Sequence, residues 1–186
     1  MFVIGIAGGT CSGKTTLTNS LEEAFTADGL KVTAIHMDKF FKKPTPNTIA
    51  PITGIEYPEH NHPDSFRLDE FYAAIDEAKA SDADVVIVEG LLVLYLERVR
   101  SALDLKLFVD LMSDERIVRR IKRFMRDRGQ TLDEVAVRYL DTVRYRHNEF
   151  VEPSRWLADL VINGSADLAR STKLIGRIVK AELAEK

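Results

Sequence analysis

The sequence predicts an α/β fold built on a parallel sheet, and three observations predict it. Phe2 to Ala7 is a continuous apolar run, as a strand buried on both faces requires. Further short apolar runs recur along the chain, separated by stretches whose apolar residues fall at helical spacing. That alternation builds doubly wound sheets with right-handed crossovers. The first run ends in a glycine-rich turn, Gly8 to Thr15 (GGTCSGKT), which leads directly into a helical pattern.

That first helix carries Leu17, Leu21, Ala24 and Phe25 on one stripe, and Gly29 stands where a left-handed C-cap sits. Lys31 to Met37 is expected to be the second strand, Asp84 to Val88 the third, Leu105 to Leu111 the fourth and Leu157 to Ile162 the fifth. Helices are expected over Leu68 to Ala80, briefly over Leu96 to Ala102, then over Ser113 to Arg128, Leu132 to Phe150 and Asp167 to Ala184. Lys39 to Arg67 breaks the pattern, because it holds five of the six prolines and shows neither period. It is expected to be a loop, and its aromatics Phe40, Phe41, Tyr57 and Phe66 favour a substrate-binding loop over an idle one. The chain from 1 to 186 reads as one domain.

Composition narrows the function classes. Lys and Arg number 26 against 29 Asp and Glu, a formal charge of -3, so no global positive field drives sequence-independent binding to nucleic acid. The single cysteine cannot form an internal disulfide, and no Cys/His cluster has zinc spacing. No stretch reaches the roughly 18 apolar residues of a membrane span, and the N-terminal run lacks a basic flank. A cytoplasmic protein that binds neither membrane nor nucleic acid is the expectation.

Gly8-Gly9-Thr10-Cys11-Ser12-Gly13-Lys14-Thr15 matches G-x-x-x-x-G-K-[ST] in full, between a predicted strand and a predicted helix. Its chemistry is phosphate binding. Backbone N–H groups from Gly8 through Thr16 converge on phosphate oxygens, Lys14 reaches the β and γ phosphates, and the Thr15 hydroxyl ligates Mg²⁺. Cys11 is read as a small residue at a variable loop position rather than as a redox switch.

Val85 to Gly90 (VVIVEG) ends a strand in an acid, so Glu89 is the candidate for positioning the metal. Asp38 directly follows the second strand and reaches the same sheet edge. There it would face the γ-phosphate, accept the proton of a substrate hydroxyl and lie near the metal with Thr15 and Glu89. His36 is read as a core or edge histidine.

Residues 116 to 128 carry seven basic side chains. Arg116, Arg119, Arg120 and Arg123 share one helical face, opposite Ile117, Val118, Ile121, Phe124 and Met125, and the apolar face is expected to pack on the domain. Arg123, Arg126 and Arg128 read as a lid over residues 123 to 138, hinged at Gly129, which neutralises transferring charge and excludes water. Arg116 is expected on the surface.

At this point the chain resembles the uridine kinases. The segments Gly8 to Thr16, Met37-Asp38-Lys39-Phe40-Phe41, His62-Pro63-Asp64-Ser65-Phe66 and Val88-Glu89-Gly90 stand in that family's order. Val109-Asp110, Arg119-Arg120, Arg123, Arg126 to Gly129, Glu149 to Ser154 and Ala158 to Ile162 look like its second half. More broadly the chain is similar to the uridine kinase and phosphoribulokinase group, which includes nicotinamide riboside kinases. The resemblance implies a five-stranded parallel sheet, ATP and Mg²⁺, and Asp38 as catalytic base. It also implies Arg120, Arg123 and Arg128 on substrate or phosphates, and a homo-oligomer would follow family habit.

Three departures bear on the acceptor. The family's β-hairpin before the Walker B strand is missing, since only Arg67 to Asp84 fills that interval. Asn61, preceded by His60, stands where the family has an Asp that binds ribose hydroxyls, and Gln130 stands where it has an Arg after the lid glycine. Phe41, Tyr57, His60, Asn61, Phe66 and Arg120 are the substrate candidates. The expected activity is phosphorylation of a nucleoside 5′-hydroxyl, uridine or cytidine foremost, with a nicotinamide riboside or other polyol kinase as alternative. A GTPase switch is disfavoured by the lack of an Asn-Lys-x-Asp motif, and an inactive nucleotide-binding regulator by the intact set Lys14, Thr15, Asp38 and Glu89.

Overall fold

In the computed structural model, which describes residues 1–185, strands and helices alternate as the apolar runs require. Five strands, β1 (Phe2–Gly8), β2 (Val32–His36), β5 (Val85–Glu89), β6 (Leu105–Asp110) and β7 (Leu160–Asn163), form one sheet in the order β2-β5-β1-β6-β7. Every pairing is parallel. The helices on it are α1 (Lys14–Ala27), α2 (Leu68–Ala80), α3 (Glu97–Arg100), α4 (Ser113–Arg128), α5 (Leu132–Arg138), α6 (Arg144–Arg146) and α7 (Leu168–Glu185).

Alternation along β1 divides the core between the two faces of the sheet. Phe2, Ile4 and Ile6 join Leu17, Leu21 and Phe25 of α1 and Ile175 and Val179 of α7. Val3 and Ala7 join Phe71 and Ile75 of α2, together with Phe150 and Val151. Asp69 and Glu70 place carboxylates in the first turn of α2, where the helix dipole favours them. A reciprocal capping box between Thr131 and Glu134 starts α5.

The long segment over 39–67 differs from the expected loop. It contains a hairpin of β3 (Asn47–Ile49) and β4 (Glu56–Pro58), with Thr48 opposite Tyr57, and 3₁₀ turns at Met37–Phe40 and Pro63–Ser65. Strands of three residues are too short for an alternation to register among prolines. The interval before β5 holds α2 alone, so the hairpin of this chain lies on the N-terminal side of that helix.

Two boundaries also move. The expected helix from 132 to 150 is broken by π-helical turns at Tyr139–Val143 and His147–Val151. The last strand starts at Leu160 rather than Leu157, because Pro153 opens a 3₁₀ turn over Glu152–Leu157.

The two-layer core gives a stability prediction. Leu17→Ala, at a fully buried position under the sheet, is expected to cost about 2–5 kcal/mol. Leu174→Ala, on the half-exposed side of α7, is expected to stay within about 0.5 kcal/mol of the parent in urea denaturation.

Candidate active site

The parallel register brings four acidic and basic groups to the carboxyl edge of the sheet. Ile6 of β1 and His36 of β2 both pair with Glu89 at the end of β5, so the glycine turn, Glu89 and the segment after β2 must converge. The chain then folds back into α1 through Gly13, whose φ of 107° is left-handed and suits a residue without Cβ. Lys14 lies buried under its own loop. Its ammonium donates to the Gly9 carbonyl at 3.0 Å and stands 3.9 Å from Glu89 Oε1. Glu89, itself buried, accepts from Thr15 Oγ1 at 3.4 Å and meets His36 Nδ1 at 3.0 Å, both on Oε2.

Two adjoining cavities open on this edge. The first, about 300 Å³, is lined by Thr10, Cys11, Gly13, Lys14, Thr15 and Thr16 of the glycine turn, with Asp38, Glu89, Arg119 and Arg123 around them. The second is lined by Phe41, His60 and Asn61 from the 39–67 segment and by Arg120, Phe124, Arg128, Gln130 and Arg138 from the helices opposite. Thr10, Asp38, Leu91 and Arg123 belong to both. Burial pushes the Asp38 carboxyl above its ordinary range, and Glu89 adds to that, while Lys14, Arg123 and His36 pull it back.

The expectation for α4 holds only in part. Of its apolar face Phe124 is buried and Ile117 and Ile121 are half-buried, but Val118 and Met125 are 48% and 47% exposed, whereas Arg116 is only 5% exposed. Arg116 and Arg120 turn inward, while Arg123 and Arg128 stay exposed. Arg120 donates to Thr10 Oγ1 at 2.9 Å, and Arg120 and Arg128 both stack on the Phe124 ring, at 4.2 and 4.0 Å from its centroid. Burial, reinforced by Arg138 and Arg128, pulls the Arg120 guanidinium down to about 10, which still leaves it cationic at neutral pH. No carboxylate lies within ion-pair distance of Arg120, Arg128 or Arg138 among the described residues. Arg126 turns away, to an exposed pair with Asp127 at 2.7 Å.

Arg116, expected on the surface, runs beneath the phosphate turn. A Cβ at Gly9 would meet its guanidinium, so a side chain there would have to displace Arg116. Its Nη1 donates to His147 Nδ1 at 3.0 Å, and His147 Nε2 faces Glu152 Oε2 at 3.1 Å. The donor on one side fixes the tautomer with the proton on Nε2.

Of the expected substrate residues, the structure brings Phe41, His60, Asn61 and Arg120 to the second cavity. Phe66 is buried behind it, stacked on Phe41 at 4.4 Å. Tyr57 directs its hydroxyl to Asp141 at 2.8 Å instead. Sequence reasoning missed Glu59, Asp141 and Arg146, which tie the hairpin segment to the helices. Thr53 and Tyr57 both donate to Asp141 Oδ2, and Arg146 bonds Glu59 and Thr48. Only Glu59, a carboxylate in the proline-rich stretch, carried a sequence signal; Asp141 and Arg146 lie inside an ordinary helical pattern.

The donor set suits Mg²⁺, which keeps several waters and needs only one or two protein oxygens beside substrate phosphates. Thr15 and Glu89, whose oxygens stand 3.4 Å apart, would supply those oxygens. Among the described residues no group of three or more His, Cys, Asp or Glu side chains is gathered for a metal.

A strand, glycine turn and helix with a strand-end acid beside the lysine define a P-loop nucleotide-binding protein. The phosphoribulokinase / uridine kinase family matches residues 52–169. The uridine kinase of Lactococcus lactis subsp. lactis is 34% identical, with 86% of each chain covered, and that of Chlamydia pneumoniae is 30% identical over 98% of this chain and 90% of its own. Phosphoribulokinase from Rhodobacter spheroides shares the fold, with a TM-score of 0.65 at 15% identity over 86% of this chain and 68% of that one. The chain belongs to the phosphoribulokinase / uridine kinase family. It is a P-loop kinase of the uridine kinase type, a phosphotransferase acting on a hydroxyl group, in a family whose kinases use ATP with Mg²⁺.

The buried histidine yields a prediction away from the chemistry. Burial, with Arg116 and Lys14 beside it, drives His147 from 6.5 to about 3, so it is neutral in the folded protein. As pH falls below 6.5 the unfolded chain takes the proton first, so stability is full above 6.5 and is lost toward 3. His147→Asn is expected to remove up to about 1.4 kcal/mol per pH unit of that slope, read from urea midpoints at a series of pH values.

Proposed function

We propose that this protein transfers the γ-phosphoryl group of ATP to the 5′-hydroxyl of a nucleoside, with uridine and cytidine the leading acceptors. One observation carries the reading: Asp38 lines both cavities, so a single carboxylate faces the phosphate site and the acceptor site at once. The relatives named above act on uridine by name, which supports the acceptor class. Gln130 Oε1 is buried in the second cavity's wall without a protein partner, an acceptor suited to an N–H or O–H of the substrate.

The roles follow from position. Lys14 and the amides of Gly8 to Thr16 hold the β and γ phosphates. Bound Mg²⁺, positioned by Thr15 and Glu89 with Asp38 nearby, would neutralise charge on the phosphate oxygens. The acceptor oxygen forms its bond to the γ-phosphorus as the bond to the bridging oxygen breaks, and the hydroxyl proton passes to Asp38. Burial makes that carboxylate a stronger base than an exposed one. Arg120, Arg123 and Arg128 stabilise the charge in transit, and residues 123–138 act as the lid that keeps water out. Phe41, His60 and Asn61 form the acceptor wall, with Phe66 and Tyr57 supporting it. The chain works as one domain on a small molecule in the cytoplasm.

The test is an ADP-release assay with Mg-ATP and a panel of uridine, cytidine, adenosine, nicotinamide riboside and ribose. Turnover confined to the pyrimidine nucleosides is expected. Activity only on another polyol would transfer the acceptor assignment, and nucleotide binding without turnover on any hydroxyl would leave a regulatory protein. Asp38→Asn is expected to lower kcat by about 10²-fold or more while ATP affinity changes little.

A further inference from the structure

Glu59 is the most buried carboxylate in the 39–67 segment, 3% exposed, and all its hydrogen bonds serve one purpose. Oε1 accepts from the backbone N–H of Asn61 at 2.7 Å, from that of His60 at 2.8 Å and from Asn61 Nδ2 at 3.4 Å. Oε2 accepts from Arg146 Nε at 2.8 Å. Burial pushes the carboxyl up, but Arg146 and the two amides outweigh it and hold it below its ordinary range, so Glu59 is ionised at neutral pH.

An ionised carboxylate only accepts hydrogen bonds. The Asn61 amide can therefore face Glu59 through its NH₂ alone, and the carbonyl Oδ1, on the other arm of the same carbon, is left for the cavity that Asn61 lines with Asp38, His60 and Arg120. We propose that Glu59 is a positioning residue that fixes the polarity of the Asn61 amide, so that Asn61 presents Oδ1 to a hydroxyl of the acceptor. The acceptor class this selects is a polyol with a free O–H donor on the Asn61 side; an ether or a deoxy analogue at that position leaves Oδ1 buried and unpaired. The inference rests on the reading that the second cavity receives the phosphoryl acceptor.

The experiment measures acceptor KM, ATP KM and kcat for the parent, Glu59→Gln and Asn61→Asp. In Glu59→Gln the oxygen on the His60 and Asn61 backbone N–H groups is kept only by setting the new NH₂ against Arg146, so the hold on Asn61 loosens and acceptor KM is expected to rise about tenfold with ATP KM unchanged. Asn61→Asp sets two carboxylates against each other and is expected to raise it at least as much.

Should Glu59→Gln fail to fold, Asn61→Ala with deoxy and O-methyl acceptors replaces it: the parent is expected to discriminate against them and this variant is not. An unchanged acceptor KM in Glu59→Gln or in Asn61→Asp, or discrimination surviving in Asn61→Ala, overturns the inference alone. A parent protein inactive on every hydroxyl acceptor overturns the proposed function and this inference with it.

Discussion

Everything at this site depends on holding the Lys14 ammonium under its own loop, between the Gly9 carbonyl at 3.0 Å and Glu89 at 3.9 Å. A buried ammonium without partners is costly, so the lysine requires an acid at the end of the adjacent strand. Parallel pairing supplies that acid by register, because Ile6 pairs with Glu89 and β1 ends at Gly8, two residues beyond. His36, paired with Glu89 from the other side, then orients the second oxygen that Thr15 also uses. The sheet edge is thus one charge-balanced unit, in which no member can be moved without exposing another.

Electrostatics also divides the arginines of α4. Arg116 and Arg120, which turn inward, are held by groups that carry no charge: His147 for Arg116, Thr10 and Phe124 for Arg120. Arg119 and Arg123, at the rim of the first cavity, pair instead with Glu115 at 2.6 Å and Asp127 at 3.8 Å on their own helix. A hydroxyl, a ring face and an imidazole hold position without cancelling charge, so the field of the inner pair is left for an anionic ligand. Phe124 is buried with that pair, whereas Val118 and Met125 stay in water.

How much of this was legible in the sequence follows from the range of the interactions. The five-stranded parallel sheet, Gly8 to Thr15, Asp38 and Glu89 could be read because each is announced within a strand and its next turn. The orientation of α4 could not, since a basic face and an apolar face on one helix are consistent with either burial until the neighbours are known. Arg116 was misplaced for that reason. The hairpin at 47–58 escaped because its stability is not local: Asp141 and Arg146, more than 80 residues away in sequence, hold it.

Those distant ties carry the last step of the argument. A three-residue hairpin has too little pairing to persist alone, so its geometry is set by the helices on which Asp141 and Arg146 sit. These helices continue α5, which follows the arginine-bearing α4 across Gly129. Arg138, at the end of α5, donates to the Pro58 carbonyl and stands 3.2 Å from His60 Nδ1. The hairpin segment that lines the second cavity and the helices after α4 are accordingly joined by polar contacts at Asp141, Arg146 and Arg138. The buried members of those contacts, Glu59 and Asp141, are costly to leave unpaired, so the hairpin and the helices hold each other in place.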